Sequence, residues 1–374
     1  ISASPGGQVY LIGAAVDNQG VISAPNGDIV LAAGKSVRVT ERATPGLQVE
    51  IVAPADRPLN LSEVTYGSRG IYAGLVRNSG TISANSVVQT ADGRIVLKSS
   101  GDVALAAGGS VTASGAKAGS IEIDSGGNAT VAGVVEANGD SGGGGKVSLK
   151  AMTDTTLETA SRVSANGSSG GNVSVIAGGT ASVYGTVEAK GDAGAGGQIA
   201  ILGDLTGLFD GARVDASGAT GGGKILVGGD YQGGAILVDG DYQGGAIRSS
   251  GAALPNSRRT YVGRDTVLRA DAIGSGDGGK VIVWADDTTR YYGSISARGG
   301  ASGGDGGFVE VSGKDTLTFN GKVDTRAPQG KSGTLLLDPA NIVISDGSGD
   351  SANDADALTT SFAGSGSGTG VVAS

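Results

Sequence analysis

The sequence predicts an all-β protein: a right-handed parallel β-helix (solenoid) with about 26 residues and three short strands per coil. Three observations support this. Gly accounts for 72 of the 374 residues, aromatic residues make up only 4%, and a glycine-led strand motif recurs at near-constant spacing. A core of Ala, Val, Ile and Leu with few rings suits a long, thin protein better than a sphere. The hydrophobic content of 39% argues against disorder.

The repeat is a glycine-containing pair followed by a short strand in which apolar and polar residues alternate. Its regular copies, 26 residues apart, start at Asp92, Ala118, Gly144, Gly170, Gly196 and Gly222. Later copies start at Gly278, Gly306 and Ser332, at intervals of 56, 28 and 26 residues. The alternation is typical of a strand with one buried face, whereas no helical apolar stripe occurs.

Each regular unit contains three strand candidates separated by Gly-, Asn-, Asp- and Ser-rich turns. In one unit these candidates are residues 146–151, 155–160 and 162–165. If one unit forms one coil, each strand pairs with its equivalent in the next coil, about 4.8 Å away. Chain length then predicts about 14 coils and a rod of roughly 65 to 70 Å. Right-handed winding is expected because crossovers between parallel strands are right-handed.

The regularity of the repeat divides the chain into six regions. They are 1–40, the first coils; 41–90, irregular coils with an insertion; 91–227, regular 26-residue repeats; 228–262, a duplicated "GDYQGGA" segment and a loop; 263–345, regular coils; and 346–374, an acidic Gly/Ser-rich linker. Because the chain opens inside a strand-like phrase without an initiator Met, we expect it to be an excerpt of a longer protein.

Composition excludes several classes of function. The net charge of −9 and pI near 4.6, without a basic patch, disfavour nucleic-acid binding. The sequence contains no run of 18 apolar residues, so it predicts no transmembrane segment. The absence of His and Cys removes the commonest general base, thiolate chemistry and disulfides, so we expect no cofactor and no enzyme.

Three long phrases resemble the large exoproteins of two-partner secretion, the filamentous-haemagglutinin-like and high-molecular-weight adhesins of Gram-negative bacteria. They are "GGKVIVWADDTTRYYGSISARGG", "GGDGGFVEVSGKDTLTFNGKVDTRAPQGKSGTLLLDPANIVIS" and "LVGGDYQGG…RTYVGRD". The resemblance covers most of the chain and is most specific over residues 226–344. The opening "GGQVYLIGAAVDNQGVISAPNGDIVLAAG" is similar to the end of that family's amino-terminal secretion domain, so the resemblance implies that region 1–40 contains the end of a secretion-domain-like region.

The resemblance implies a right-handed β-helix, export through an outer-membrane transporter partner barrel, and a place on the cell surface or in the medium. It also implies a role in cell-cell or cell-matrix adhesion in biofilms, with exopolysaccharide or a cell-surface glycan as the ligand. Two alternatives stay open: the stalk of a two-partner-secreted toxin or contact-dependent inhibition protein, and a polysaccharide-cleaving β-helix enzyme. Terminal coils with open edges predict self-association end to end or side by side.

Aromatic residues provide the candidate ligand contacts, because amphipathic rings on a flat sheet can stack on sugars. The candidates are Trp284, Tyr291, Tyr292, Tyr231 and Tyr242. For Trp284 the alternative is packing: Val281 and Val283 point inward, and the indole covers a face, corner or loop. Tyr291 and Tyr292 are expected to start the next strand, one inside and one outside.

Acidic residues are the other candidates. Asp286 and Asp287 are adjacent carboxylates, but neighbours in a strand point to opposite faces, which favours a solvated turn over a glycosidase pair. The segment "DGSGDSANDAD" contains weak calcium candidates, namely Asp346, Asp350, Asp354 and Asp356. Their spacing matches no known calcium loop, so an acidic linker is the alternative.

Overall fold

A computed structural model describes residues 1–34, 36–41, 47–53, 74–86, 92–209, 211–233 and 256–340. In chain order the first strands are β1 (Gln8–Gly13), β2 (Ala15–Asn18), β3 (Val21–Ser23), β4 (Asp28–Ala33), β5 (Ser36–Glu41), β6 (Leu47–Ala53), β7 (Leu75–Asn78), β8 (Thr81–Ser83), β9 (Arg94–Ser99), β10 (Val103–Leu105) and β11 (Ser110–Thr112). The middle strands are β12 (Ser120–Ser125), β13 (Ala129–Val131), β14 (Val134–Glu136), β15 (Lys146–Ala151), β16 (Thr155–Leu157), β17 (Arg162–Ser164), β18 (Asn172–Ala177), β19 (Thr180–Val183), β20 (Thr186–Glu188), β21 (Gln198–Leu202), β22 (Leu205–Leu208) and β23 (Arg213–Asp215). The last are β24 (Lys224–Val227), β25 (Arg259–Val262), β26 (Val267–Arg269), β27 (Lys280–Ala285), β28 (Thr288–Tyr291), β29 (Ser294–Ser296), β30 (Phe308–Gly313), β31 (Thr316–Phe319), β32 (Lys322–Asp324) and β33 (Thr334–Leu336).

Three parallel sheets form the solenoid. Sheet I has the order β1-β4-β9-β12-β15-β18-β21-β24-β27-β30-β33, sheet II the order β2-β7-β10-β13-β16-β19-β22-β25-β28-β31, and sheet III the order β3-β8-β11-β14-β17-β20-β23-β26-β29-β32. The 26-residue period is visible in the register, where Ser120 pairs with Lys146 and Asn172 pairs with Gln198. The prediction of an all-β parallel solenoid with three short strands per coil is therefore confirmed.

In the ranges that the structure describes, the coils are fewer than the roughly 14 that chain length predicts. Sheets II and III each contain ten strands and sheet I contains eleven, so the described coils form a rod of about 48 Å at a strand spacing of ~4.8 Å. Part of the chain leaves the stack: β5 and β6 form an antiparallel hairpin, and β7 completes the coil that β4 begins. Dividing the chain length by the repeat length treats such excursions as coils and therefore overestimates the number of coils.

The core is a continuous column of stacked aliphatic side chains. One register position of sheet I contributes Ile95, Ile121, Val147, Val173, Ile199, Ile225, Val281 and Val309, each at most 2% exposed. Sheets II and III close the interior with positions such as Leu157 and Val163, both fully buried. Because no single coil can enclose these side chains, stability depends on the stacking of neighbouring coils.

The glycine pairs have a steric cause at the corner between sheet III and sheet I. A Cβ on Gly222, the first of a pair, would collide with the Ala270 carbonyl oxygen of the following coil. A Cβ on Gly223, the second, would collide with the Gly197 carbonyl oxygen of the preceding coil. The second glycine meets the preceding coil in the same way at successive corners, for example at Gly145, Gly171 and Gly279, so the backbone approaches itself too closely for a side chain at that position.

Side-chain acceptors also join successive coils. Asp102 Oδ1 accepts the Asn128 N–H at 2.7 Å, Asn128 Oδ1 accepts the Asp154 N–H at 3.3 Å, and Asp154 Oδ1 accepts the Thr180 N–H at 2.7 Å. A second series at another corner uses Asn138 and Asn166 in the same way. In both series the side chain accepts from a backbone N–H of the following coil, so each bond links two layers of the stack.

We predict that Gly223→Ala destabilises the fold while Gly20→Ala does not. In Gly223→Ala the new methyl group must push two backbone segments apart, which costs about 1–3 kcal/mol or more in the free energy of unfolding. No atom lies within 4 Å of a Cβ built on Gly20, so that variant is the matched control. Urea denaturation followed by far-ultraviolet circular dichroism measures both. Equal midpoints for the two variants would contradict the steric explanation.

A second prediction concerns the buried carboxyl group of Asp102, which is 4% exposed. Burial raises its pKa above the ordinary value of 3.8, although the Asn128 N–H opposes the shift. The folded state therefore holds this proton more tightly, and the free energy of unfolding falls as pH rises through the interval between the two pKa values. Asp102→Asn keeps the acceptor and avoids this loss, so its stability relative to wild type should rise with pH across that interval.

The control is Asp102→Ala, which leaves the Asn128 N–H without its acceptor and should cost about 1 kcal/mol at neutral pH. Denaturation curves at pH 3, 5 and 7 compare the three proteins. If Asp102→Asn lost as much stability as Asp102→Ala at neutral pH, the carboxylate charge itself would be needed and our explanation would be wrong.

Candidate functional site

Trp284 lies on the outer face of sheet I and is 5% exposed. As the alternation in β27 predicts, Val281 and Val283 point into the core. The indole belongs instead to an outer cluster with Ala200, Leu202, Leu226 and Ile282, against which Phe308 packs. Most of its surface is thus in contact with the protein, which favours the packing role for Trp284.

Trp284 also supports the residues that follow β24. A Cβ on Gly229 would lie 2.7 Å from Cδ1 of the indole, and one on Gly233 would lie 2.7 Å from Cζ2, so glycine backbone rests directly on the ring. The Asn256 Nδ2 donates to the Gly233 carbonyl oxygen at 2.8 Å. Residues 233 and 256 therefore meet beside the indole, which supports both of them.

The adjacent carboxylates are occupied by local contacts. Asp286 Oδ1 accepts from Trp284 Nε1 at 2.8 Å and from Asn256 Nδ2 at 3.1 Å. Asp287 accepts from Thr288 Oγ1 at 2.8 Å and from Arg259 Nε at 3.2 Å. Burial tends to raise the pKa of Asp287, but the Thr288 and Arg259 hydrogen bonds and nearby arginine charges lower it overall. This turn binds its own strands together.

The two adjacent tyrosines lie on opposite sides of the wall. Tyr291 ends β28 rather than starting a strand, and it is fully buried in the core, where it stacks on Phe319 at 5.2 Å between ring centroids. Tyr292 follows on the outside and is 5% exposed. One ring therefore lies inside and one outside, as the alternation predicts, and both are packed.

Tyr292 closes an external row of aromatic rings that crosses four coils. The rings are Tyr184, Phe209, Tyr261 and Tyr292, with successive centroids 4.7, 5.5 and 6.1 Å apart. Phe209 and Tyr261 are 4% and 9% exposed. The rings cover one another, so the row contributes stacking energy between coils and leaves little ring surface accessible.

Tyr231 is the most accessible of the candidate rings that the structure describes, with 41% of its surface exposed in a short 3₁₀ turn (Tyr231–Gly233). Its ring meets that of Phe308 edge-on at 5.5 Å between centroids. Lys280 Nζ lies 4.8 Å from the Tyr231 centroid and 5.7 Å from that of Phe308, within cation–π range of both. Tyr242, Asp346, Asp350, Asp354 and Asp356 lie outside the described residues.

A groove of about 760 Å³ runs along the glycine corner beside this cluster. Its floor is the glycine pairs of successive coils, including 196–197, 222–223, 278–279 and 306–307. One wall is the first residue of successive sheet I strands, namely Asn172, Gln198, Lys224, Lys280, Phe308 and Thr334. The other wall contains Asp277, Asp305 and Lys331. The groove exists because the corner excludes side chains while both flanks carry them.

Charges along the groove are balanced. Lys224 Nζ lies 2.8 Å from Asp230 Oδ2, and Lys280 Nζ lies 3.9 Å from Asp230 Oδ1. Burial tends to raise the pKa of Asp230, but the Lys224 and Tyr231 N–H hydrogen bonds and both lysine charges lower it overall. Asp277 Oδ1 accepts the Asp305 N–H at 2.7 Å, and Asp305 Oδ1 accepts the Lys331 N–H at 2.8 Å.

Sequence reasoning did not single out the groove walls. The signal was present, because every wall residue of sheet I except Thr334, which follows Ser332 and Gly333, comes directly after a glycine pair, as in "GGNVSV", "GGQIAI", "GGKILV" and "GGFVEV". In the ranges that the structure describes, no helix is long and apolar enough to cross a membrane. No group of three or more acidic side chains within those ranges is arranged to hold a metal ion.

Comparisons with known proteins give a structural similarity but no match in sequence. No protein-family model matches the chain, and no curated protein matches it. Among solved structures, the chain is similar to the crystal structure of the HMW1 secretion domain from Haemophilus influenzae, with 18% sequence identity over 88% of this chain and 89% of that chain, and a TM-score of 0.38. The assignment of this chain as a parallel β-solenoid rests on its own strand pairing.

We predict that Trp284 acts as a packing anchor. Trp284→Ala should lower the free energy of unfolding by about 3–5 kcal/mol, because it removes a buried ring and exposes the glycine backbone above it. Tyr231→Ser, at an exposed ring of the same cluster, should cost less than about 1 kcal/mol. Chemical denaturation followed by circular dichroism compares them.

Fluorescence offers an independent check because Trp284 is the only tryptophan. A buried indole should emit at short wavelength and resist quenching by acrylamide in the folded wild-type protein. Emission typical of water-exposed tryptophan, together with a stable Trp284→Ala variant, would contradict the anchoring role.

Proposed function

We propose that this chain is an elongated stalk segment of a secreted bacterial surface adhesin that mediates cell-cell or cell-matrix contact in biofilms by binding exopolysaccharide. The observation that carries the proposal is the form of the solenoid: a stack of coils in register with a groove that crosses several of them. A long polymer can contact several coils of such a rod at once. Weak contacts repeated along a stiff rod then sum through avidity.

Export through an outer-membrane partner barrel to the surface of a Gram-negative cell is part of this proposal. Two features support it. The chain has no cysteine, so no disulfide can form before or during translocation. Each coil pairs mainly with its neighbours in sequence, so the rod can assemble progressively from one end as the chain emerges. In the same proposal the chain has no catalytic activity, and its rod separates binding elements from the cell.

The test is co-sedimentation of the purified chain with a panel of insoluble biofilm exopolysaccharides, with reducing ends measured in the same tubes. We expect saturable binding without release of reducing ends. Absence of binding to every polymer would overturn adhesion by this chain and favour a spacer, as in a toxin stalk. Release of reducing ends would overturn the non-catalytic role and favour a polysaccharide-cleaving enzyme.

A further inference from the structure

We propose that the glycine-corner groove is the binding site for a neutral, hydroxyl-rich polysaccharide chain that lies along the rod axis across several coils. This inference rests on the proposed function and gives it a site and a ligand class. It places recognition at Phe308, Tyr231 and Gln198, whereas the buried indole of Trp284 supports the outer cluster from below.

The floor cannot bind a peptide strand or a phosphate, because its backbone donors are already used. The Gly197, Gly223 and Gly279 N–H groups donate to the carbonyl oxygens of Ala189, Ala216 and Ala270 at 2.7 to 2.8 Å. Strand addition and anion nests both need unpaired backbone N–H groups. Binding in the groove must therefore come from the side chains of the two walls.

The wall on sheet I presents groups that match sugar hydroxyls and rings. Asn172 and Gln198 occupy neighbouring coils in one register, and each amide can donate and accept hydrogen bonds. Further along the same wall Phe308 is partly exposed, with Tyr231 edge-on to it. The C–H groups of a pyranose ring carry partial positive charge and pack well on the negative face of an aromatic ring. Six wall positions at ~4.8 Å intervals span about 24 Å, which accommodates several linked sugars.

The charge balance selects a neutral polymer. Three lysines (Lys224, Lys280 and Lys331) and three aspartates (Asp230, Asp277 and Asp305) give the groove and its rim a formal charge of zero. Two of those lysines are already close to Asp230. An acidic polymer would have to compete for them while approaching Asp277 and Asp305, in a protein with a net charge of −9. A neutral chain meets no such repulsion.

The experiment measures binding of the full chain to soluble neutral polymers (dextran and yeast mannan) and acidic polymers (alginate and polygalacturonate), by affinity electrophoresis at low and high salt. We expect binding to a neutral polymer that changes little with salt. Phe308→Leu, which keeps an apolar side chain against the outer cluster but removes the ring, should weaken it at least about fivefold. Gln198→Ala should also weaken it.

Matched controls separate the groove from general effects. Gln8 occupies the same outward register position of sheet I as Gln198, several coils away from the groove, so Gln8→Ala should leave binding within about twofold of wild type. Tyr231→Ser should weaken binding like the other groove variants, whereas Met152→Ser should not, because Met152 is equally exposed at 41% but lies in another turn. Circular dichroism confirms that each variant is folded.

The outcomes distinguish this inference from the proposed function. Loss of neutral-polymer binding in the groove variants but not in the controls would support the site and the ligand class. Undiminished binding by Phe308→Leu and Gln198→Ala would overturn the site while leaving adhesion intact. Salt-sensitive binding to acidic polymers alone would overturn the ligand class. Failure of the wild-type chain to bind any polymer, soluble or insoluble, would overturn the proposed function and this inference with it.

Discussion

The close approach of the backbone at the corner between sheets III and I is the constraint on which the rest of the structure depends. Coils about 4.8 Å apart can share this corner only if residues such as Gly222 and Gly223 have no side chain. Each glycine of the pair allows close approach to a different coil: the first faces the following coil and the second faces the preceding one. The register of sheet I, the aliphatic column behind it and the groove outside it all follow from this contact.

Polar groups reinforce the same stacking. The acceptor series through Asp102 and Asn128, and through Asn138 and Asn166, binds backbone N–H groups of the next coil where strands end and turns begin. On sheet III, Arg162 lies within 3.6 Å of Glu136 and 2.8 Å of Glu188, carboxylates of the coils on either side. Neighbouring coils are thus joined by backbone hydrogen bonds, side-chain acceptors and ion pairs as well as by apolar burial. This combination of contacts suits a stiff rod with a thin core.

The aromatic residues of the solenoid fall into two groups: rings that are packed against the protein and rings that keep surface accessible to a ligand. Tyr291 fills the interior, and the external row ending at Tyr292 is covered by its own stacking. The glycine backbone that follows β24 packs directly on the Trp284 indole. Among the rings that the structure describes, Tyr231 and Phe308 keep ring surface beside the groove, where polar and charged side chains converge. In a chain with so few rings, accessibility therefore decides which of them can meet a ligand.

The amino-acid sequence by itself determined the solenoid, because a repeat of 26 residues with alternating strands and glycine pairs has few other ways to bury its apolar side. It also placed Val281 and Val283 inside and Trp284 outside, since side chains alternate along a strand. Only the tertiary structure decided how many coils form, because the hairpin of β5 and β6 consumes chain without adding a layer. It alone decided that Asn172, Gln198, Lys280 and Phe308 form one wall, because residues 26 to 56 positions apart become neighbours only when coils stack in register.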